Sequence, residues 1–424
     1  MCDNDEHSFR LNLKEKRIRR GIALATIGAL SVLGLSACGG SGTTEVETDG
    51  SAAESTGQGL TVWVDANREA AFKKAAEAYK SATGNNVELV VKDNDQMRTE
   101  FSTQVPTGQG PDIAFGANDW IGEFVNNGLV APVELGDKAG DFSEGSVAAF
   151  TFDGQVYGVP YAVENLAIIR NADLVDATPA TFDEMIEKGK AAGTEYPFVI
   201  QVGDEGDPYT MYPFQSSFTG PVFEQNADGS YTSNLSIGGA EGEAFAKWLQ
   251  EKGNEGVISP SISYDVAVDA FKNGKSPYIL GGPWMLADFE GMNIAVDPIP
   301  SAGPNKGVPF LGVQGGFISA KSENALLAND FLVNYVGSQE VQDELFAIGN
   351  RLPALTASAD KAAADPLIAG FQAASEGGFP MPNIPEMGAV WTFWGKTEAQ
   401  ILNGSDPAET WNKMISDIQA ELGK

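Results

Sequence analysis

The chain has 424 residues, of which 42% are hydrophobic and 9% aromatic, and its formal net charge at pH 7 is −31. This length and apolar content suit a globular protein of two or three domains with substantial hydrophobic cores. The charge argues against nucleic acid and anionic membrane surfaces as partners, because both repel a strongly negative protein.

The first 37 residues have the pattern of a removable export signal. Lysines and arginines between residues 10 and 20 precede an apolar run over residues 22–35, which is too short and too rich in glycine and alanine for a spanning helix. The run ends in Leu35-Ser36-Ala37-Cys38, which resembles a bacterial lipoprotein signal, whose cysteine carries the lipid and becomes the new N-terminus. A plain secretory signal with a chance cysteine is the alternative. Residues 38–59, mostly small, polar and acidic, predict a flexible tether.

The composition excludes several kinds of catalysis. Cys2 and His7, the only histidine, both precede Cys38, so cleavage there would leave neither histidine nor a free thiol. This would remove Ser-His-Asp and Cys-His catalysis, histidine-bound metals and disulfides. The run KNGKS at residues 272–276 resembles a phosphate loop, but Asp269 stands where its first glycine is needed. We expect no catalytic residues, no cofactor and no metal.

Short apolar runs alternate with helical patterns along the rest of the chain. Strands are expected at residues 60–64, 87–91, 113–115, 157–170, 198–202 and 276–280. Helices are expected at residues 68–83, from 181 onward, and at 241–252, 263–273, 324–336, 339–348, 365–374 and 406–422. This alternation indicates an α/β protein with mostly parallel sheets, and the chain is long enough for two lobes. Binding sites in such folds lie at the carboxyl ends of strands and between domains.

The stretch from residue 380 to 394 combines stiffness with two indoles. Three prolines, at 380, 382 and 385, make its first half extended, and a helix is expected to begin at or near Pro385. Trp391 and Trp394 then lie on one helix face, either as a ligand platform or as ordinary core. Met381-Pro-Asn-Ile-Pro-Glu-Met387 resembles the segment of the maltose-binding proteins that introduces a sugar-stacking tryptophan, and Trp391 occupies the position of that tryptophan.

The resemblance covers nearly all of residues 60–424 and implies an α/β, two-lobed periplasmic-binding-protein (type II) fold. Its hinge would have about three chain crossings, near residues 163–166, 310–316 and 356–364. Lobe one would hold residues 60–162 and 317–357, and lobe two residues 167–309 and 365–424.

The chemistry of a sugar predicts which side chains its binding site contains. Their C–H patches pack on aromatic rings, and their hydroxyls need partners once water is excluded. Carboxylates suit this role because each accepts charge-assisted bonds from two hydroxyls. Several tryptophans or tyrosines beside several acids are therefore the expected site.

Two acids at strand ends fit this description. The resemblance makes Asp119 a ligand of sugar hydroxyls, although it could instead cap the following helix. The family example has a stacking tryptophan at the position of Gly116 and an arginine at that of Trp120, so Trp120 is a candidate for the missing ring. Glu164 lies in an apolar run and is either a sugar ligand or a salt-bridged hinge acid.

Two further turns supply aromatic candidates. Residues 206–209 resemble an acid-Pro-Tyr turn whose tyrosine stacks on sugar, which makes Tyr209 and Asp207 candidates. A solvated loop is the alternative for Asp207 and its acidic neighbours. Trp284 follows a strand and a Gly-Gly-Pro turn, as in the family, with core packing as the alternative.

Polar residues after the first strand complete the set. Asp65, Asn67 and Arg68 lie where the family has polar ligands, but their types are permuted, so which of them binds stays open. Trp394 is included because it shares a helix face with Trp391. Three other tryptophans are assigned to the core: Trp63, Trp248 and Trp411.

The resemblance implies a lipid-anchored receptor on the outer face of the cell membrane. It would capture maltose or malto-oligosaccharides between its lobes and deliver them to the transmembrane subunits of an ABC permease. We expect a monomer without bond chemistry, in which sugar binding shifts the protein to a closed state. The alternatives are a receptor for another oligosaccharide, a receptor for a membrane sensor, and a glycoside hydrolase, which needs only two carboxylates.

Overall fold

The computed structural model describes residues 59–227 and 229–423. The expected export signal, Cys38 and nearly all of the tether lie outside the described residues. Within the described ranges, no helix is both long and apolar enough to cross a membrane.

Fifteen strands and fourteen α-helices make up the described chain. The strands are β1 (Gly59–Val64), β2 (Asn86–Val91), β3 (Ile113–Ala117), β4 (Val130–Ala131), β5 (Thr151–Phe152), β6 (Gln155–Val156), β7 (Gly158–Glu164), β8 (Ala167–Asn171), β9 (Phe223–Gln225), β10 (Tyr231–Leu235), β11 (Tyr278–Gly281), β12 (Ile294–Asp297), β13 (Phe310–Ser319), β14 (Leu352–Pro353) and β15 (Phe379–Pro380). The helices are α1 (Ala66–Thr83), α2 (Asn94–Gln104), α3 (Ile121–Asn126), α4 (Glu144–Ala149), α5 (Phe182–Ala191), α6 (Pro208–Thr219), α7 (Gly239–Asn254), α8 (Tyr264–Lys272), α9 (Ala325–Asn329), α10 (Gln339–Gly349), α11 (Thr356–Ala362), α12 (Pro366–Ala374), α13 (Met387–Leu402) and α14 (Pro407–Leu422).

The strands form two principal sheets, a larger one of mixed direction and a smaller antiparallel one. The larger has the order β14-β7-β13-β3-β1-β2, and β4 and β15 also pair with β13. β1 is parallel to β2 and β3, but β13 is antiparallel to β3, β4 and β7. In the smaller sheet, β8 lies between β11 and β12 and is antiparallel to both. The expectation of mostly parallel sheets is wrong, because the three parallel pairs of these two sheets, β1–β2, β1–β3 and β13–β15, are outnumbered by antiparallel pairs.

The buried apolar side chains divide into two groups by chain segment. Two clusters take their fully buried members from residues 60–162 and 313–355. Two others take theirs from residues 166–310 and 368–418. Strand β13 contributes to both groups, since Phe310 belongs to one and Phe317 to the other. The chain therefore passes between the two groups near residues 163–165, 311–312 and 356–367.

Two helices begin at the capping residues that the sequence indicates. Thr181 accepts a bond from the Glu184 amide before α5, and Asp406 does the same for Glu409 before α14. These two predicted helix starts are confirmed. Helix α13 instead begins at Met387, two residues after Pro385. The amides of residues 387–389 bond to the carbonyls three residues earlier, so a tight turn separates the proline segment from the helix.

Three tryptophans lie in the core as predicted: Trp63, Trp248 and Trp411. The indole N–H of Trp411 donates to the Ile237 carbonyl at 2.8 Å, and Trp248 packs edge-on against Phe182. Their burial leaves four tryptophans to be considered for a site.

Helix α13 contains a buried carboxyl group, Glu398, that the sequence did not predict. Glu398 is 0% exposed, and neither of its carboxyl oxygens has a hydrogen-bond partner. Gly395, one turn earlier, packs against the backbone of Gly206, which brings this part of α13 close to Asp207. Burial, followed by the charge of Asp207, raises the pKa of Glu398 well above its ordinary value of 4.5. Burial without a cation therefore favours the neutral acid.

This raised pKa predicts a stability that falls with rising pH. Above pH 4.5 the unfolded chain loses the Glu398 proton while the folded protein keeps it, so ionisation favours unfolding up to the raised pKa. Glu398→Gln cannot ionise, so its stability does not depend on pH through this residue. Between pH 4.5 and the raised pKa, its free energy of unfolding should therefore increase relative to that of the wild type by about 1.4 kcal/mol per pH unit. Urea unfolding of both proteins between pH 5 and 8 measures it. A difference that stays constant with pH would contradict the buried neutral acid.

Candidate functional site

A buried polar network begins at the carboxyl end of β1. Asp65 caps α1 through the Arg68 amide and also forms an ion pair with the Arg68 side chain. Arg68 Nε donates to the Tyr161 hydroxyl at 2.7 Å, and its Nη2 donates to Gln314 Oε1 at 2.5 Å. All four side chains are buried. The network thus ties the start of α1 to β7 and β13.

Glu164, at the end of β7, continues the same network. Gln314 Nε2 donates to Glu164 Oε1 at 2.6 Å, and Arg351 Nε donates to Glu164 Oε2 at 2.7 Å. The guanidinium carbon of Arg351 lies 5.3 Å from the ring centroid of Trp284. Glu164 is therefore a buried acid with a salt bridge, as one of its two expected roles required. Trp284 is partly exposed next to Arg351.

Aromatic rings from α6, β13 and α13 form the adjoining wall. Trp391 stacks on Trp394, with ring centroids 5.5 Å apart and planes inclined by 22°. Phe310 packs against both tryptophans and also stacks with the rings of Tyr209 and Tyr212. Trp391 remains partly exposed, whereas Trp394 is fully buried and donates from Nε1 to Gln215 at 3.0 Å. Trp391 is thus the accessible ring of the stack.

Asp119 meets this wall from the larger sheet. The indole N–H of Trp391 donates to Asp119 Oδ2 at 2.8 Å, while Asp119 Oδ1 is buried without a hydrogen-bond partner. Burial raises the pKa of Asp119, and Arg98 and the Trp391 bond oppose that rise. The side chain does not cap the following helix. Asp119 therefore has one oxygen fixed by Trp391 and one available as an acceptor.

Tyr209 offers the complementary group. Its hydroxyl is buried without a hydrogen-bond partner. Burial raises the pKa of Tyr209 well above its ordinary value, and the charges of Glu164, Asp207 and Asp119 raise it further. The phenol is therefore neutral and can donate a proton to a ligand oxygen. These electrostatic interactions indicate that Tyr209 lies near Glu164 and Asp119.

The remaining candidates have other surroundings. The Asp207 carboxylate caps α6, where it accepts from the Thr210 amide at 3.0 Å and the Thr210 hydroxyl at 2.7 Å. Trp120 is buried, stacks with Phe317 and covers Gly116, where a side chain would overlap its ring. Asn67 is exposed next to Arg68. Whether these residues bind a ligand stays a prediction.

Sequence reasoning missed Gln314 and Arg351. Gln314 is an amide within the otherwise apolar run 310–318, which is the same signal that identified Glu164. Arg351 follows a helix in an ordinary polar turn and carries no such signal. Its partner Glu164 lies 187 residues away in sequence. Only the fold reveals that Arg351 belongs to the network.

The assembled site combines aromatic rings with polar atoms that have no hydrogen-bond partner. The rings are the partly exposed indoles of Trp391 and Trp284, and the polar atoms are a buried acceptor on Asp119 and a buried donor on Tyr209. An indole face packs against C–H groups, and the free polar atoms suit hydroxyls. Among the described residues, no group of histidine, cysteine or acidic side chains is arranged to hold a metal ion.

Known proteins resemble this chain over most of its length. The family described as bacterial extracellular solute-binding protein matches residues 74–370. A galactooligosaccharide-binding protein of Bacillus subtilis (strain 168) is 28% identical over 92% of this chain and 94% of its own. A maltooligosaccharide ABC transporter solute-binding lipoprotein of Streptococcus pneumoniae (strain ATCC BAA-255 / R6) is 27% identical over 89% of this chain and 91% of its own.

The structural match points the same way. The Thermus thermophilus maltotriose binding protein, solved with maltotriose bound, superposes with a TM-score of 0.79 at 29% identity, covering 86% of this chain and all of that one. The expected two-lobed, type II periplasmic-binding fold is confirmed by this match. Because the family match spans more than half of the sequence, the chain belongs to the bacterial extracellular solute-binding proteins.

Proposed function

We propose that this protein is the extracellular sugar-binding receptor of an ABC importer and that its ligands are malto-oligosaccharides. The observation that carries the proposal is the pairing of Trp391 with Asp119. The indole N–H of the partly exposed Trp391 donates to Asp119 Oδ2, and the other carboxylate oxygen, Oδ1, has no hydrogen-bond partner. A sugar ring stacked on that indole would bring its hydroxyls within reach of the oxygen. The names of the pneumococcal and Thermus relatives support the choice of sugar.

We infer that the ligand lies between lobe one, residues 60–162 and 317–357, and lobe two, residues 167–309 and 365–424. The division of the buried apolar clusters supports these boundaries. On this division Asp119 and Trp391 come from opposite lobes. A ligand that contacts both would bind the closed form better than the open form and shift the population toward it.

A galactooligosaccharide is the second candidate, favoured by the name of the Bacillus relative. Both ligand classes present C–H patches and hydroxyls, so the stacking and hydrogen-bonding groups above suit either. Calorimetric titration with maltotriose and with a galactooligosaccharide of equal length separates them. Failure of both sugars to bind would refute the proposal. Glucose released from maltotriose at enzymatic rates would show a glycoside hydrolase instead.

The Trp391 platform predicts a loss of binding without loss of the fold. Stacking and the buried area of one indole should make Trp391→Ala weaken maltotriose binding by about 2–4 kcal/mol, a factor of roughly 30 to 1,000. Trp248→Ala is the control, since its ring lies in the core. That variant should lose about 3–5 kcal/mol of stability and keep its affinity. Normal binding by Trp391→Ala would place the platform elsewhere.

The two acids Asp119 and Asp207 should respond differently to the same change. Asp119→Asn keeps the shape but turns a charge-assisted acceptor into a neutral one, so affinity should fall by about 10- to 100-fold. Asp207→Asn should change affinity less than about threefold, because the asparagine still caps α6. Titration of both variants with maltotriose tests this. Equal losses would mean that Asp207 also binds the sugar.

We further propose that Cys38 carries a lipid that holds the protein on the outer face of the cell membrane, next to its permease. The relative named as a lipoprotein supports this location. Cys38→Ala should move the protein from the membrane fraction to the medium or periplasm. A variant that stays with the membrane would indicate that residues 22–37 remain as an anchor and that the lipoprotein interpretation is wrong.

A further inference from the structure

Arg351 is held in a defined place between the two groups of buried clusters. It follows Asn350, which ends α10 in the left-handed conformation with φ 58°. Asparagine tolerates that conformation better than most residues, and it turns the chain sharply after the helix. Arg351 is only 6% exposed, and its Nε bond to Glu164 fixes the orientation of the guanidinium plane.

The guanidinium then reaches a ring of the other group. Trp284 packs against clusters built from residues 166–310 and 368–418, whereas Arg351 lies in the segment 313–355 that builds the first pair. The separation of 5.3 Å between guanidinium carbon and ring centroid is within the range of a cation–π interaction. Gly282 lies against the same indole, because a methyl group there would overlap the Trp284 ring.

A small cavity beside Arg351 has little room for a ligand. It has a volume of about 10 Å³ and is lined by Asn67, Arg68, Tyr161 and Arg351 among others. That volume is close to the minimum for a single water molecule and far below that of a sugar ring. The guanidinium is therefore almost enclosed by protein. Its contacts with Glu164 and Trp284 are those through which we expect it to act on binding.

We propose that Arg351 is a positioning residue that fixes the Trp284 indole relative to Glu164, so that the ring is preorganised as a sugar platform. The proposal rests on the function proposed above. A ring already held by the guanidinium loses less side-chain freedom when sugar binds, which favours affinity. The contact also joins the two lobes and so favours the closed form.

A double-mutant cycle on maltotriose affinity tests this role. Arg351→Lys keeps a cation near Glu164 but removes the planar guanidinium and its fixed contact with the ring. We expect Arg351→Lys to weaken binding about tenfold in the wild-type background and less than about twofold in the Trp284→Ala background. The same loss in both backgrounds would overturn the proposal, since Arg351 would then act independently of Trp284.

Arg170→Lys is the matched control. Arg170 Nε donates to Asp297 at 2.7 Å in a partly buried ion pair on the smaller sheet. Arg170→Lys should weaken an ion pair of similar geometry, but its affinity for maltotriose should stay within about twofold of the wild type. An equal loss of affinity in Arg170→Lys and Arg351→Lys would mean that any weakened ion pair lowers binding, which also overturns the proposal.

A second readout is independent of sugar. The fluorescence of Trp284, obtained as the difference between wild type and Trp284→Phe, should change in Arg351→Lys and not in Arg170→Lys. If Arg351→Lys does not fold, Arg351→Gln combined with Glu164→Gln replaces it, since that pair leaves no buried charge unpaired. An unchanged Trp284 signal overturns the inference. A wild type that binds none of the sugars refutes the proposed function itself, and the inference falls with it.

Discussion

The buried carboxylate of Glu164 is the constraint on which the rest of the site depends. A charge at the end of an apolar strand is costly unless it is paired and hydrogen-bonded. Arg351 and Gln314 each donate to one of its oxygens. Gln314 in turn accepts from Arg68, whose charge is balanced by Asp65. Hydrogen-bonding this one acid therefore fixes the end of β7, the middle of β13, the start of α1 and the turn after α10.

This satisfied scaffold contrasts with the two polar atoms left unpaired beside it. Asp119 Oδ1 and the Tyr209 hydroxyl are buried without partners, although most buried polar groups in proteins are hydrogen-bonded. An unpaired buried polar atom lowers stability, and a hydroxyl placed at either atom would relieve that penalty. Under the function proposed above, these are the two atoms that sugar hydroxyls would satisfy.

Trp391 and Trp394 show what a sequence pattern can predict and what it cannot. Their spacing of three residues correctly places them on one face of α13. It does not separate their surroundings, because helix α6 covers Trp394 through Gln215 and leaves Trp391 to meet Asp119. Likewise, Asp119 and Asp207 are both candidate acids in the sequence, yet Asp119 has one oxygen without a hydrogen-bond partner and Asp207 caps a helix.

The sequence by itself determined the local structure and the family. Capping residues such as Thr181 and Asp406 act on their own helix, and the proline-rich motif before Trp391 is contiguous, so both are readable without a fold. It also identified Asp119, Glu164, Tyr209, Trp284 and Trp391 as a set worth placing together. The tertiary structure alone decided the antiparallel pairing of β13, the partners of Glu164 and the exposure of each indole. The physical reason is separation along the chain, since Gln314 and Arg351 reach Glu164 from 150 and 187 residues away.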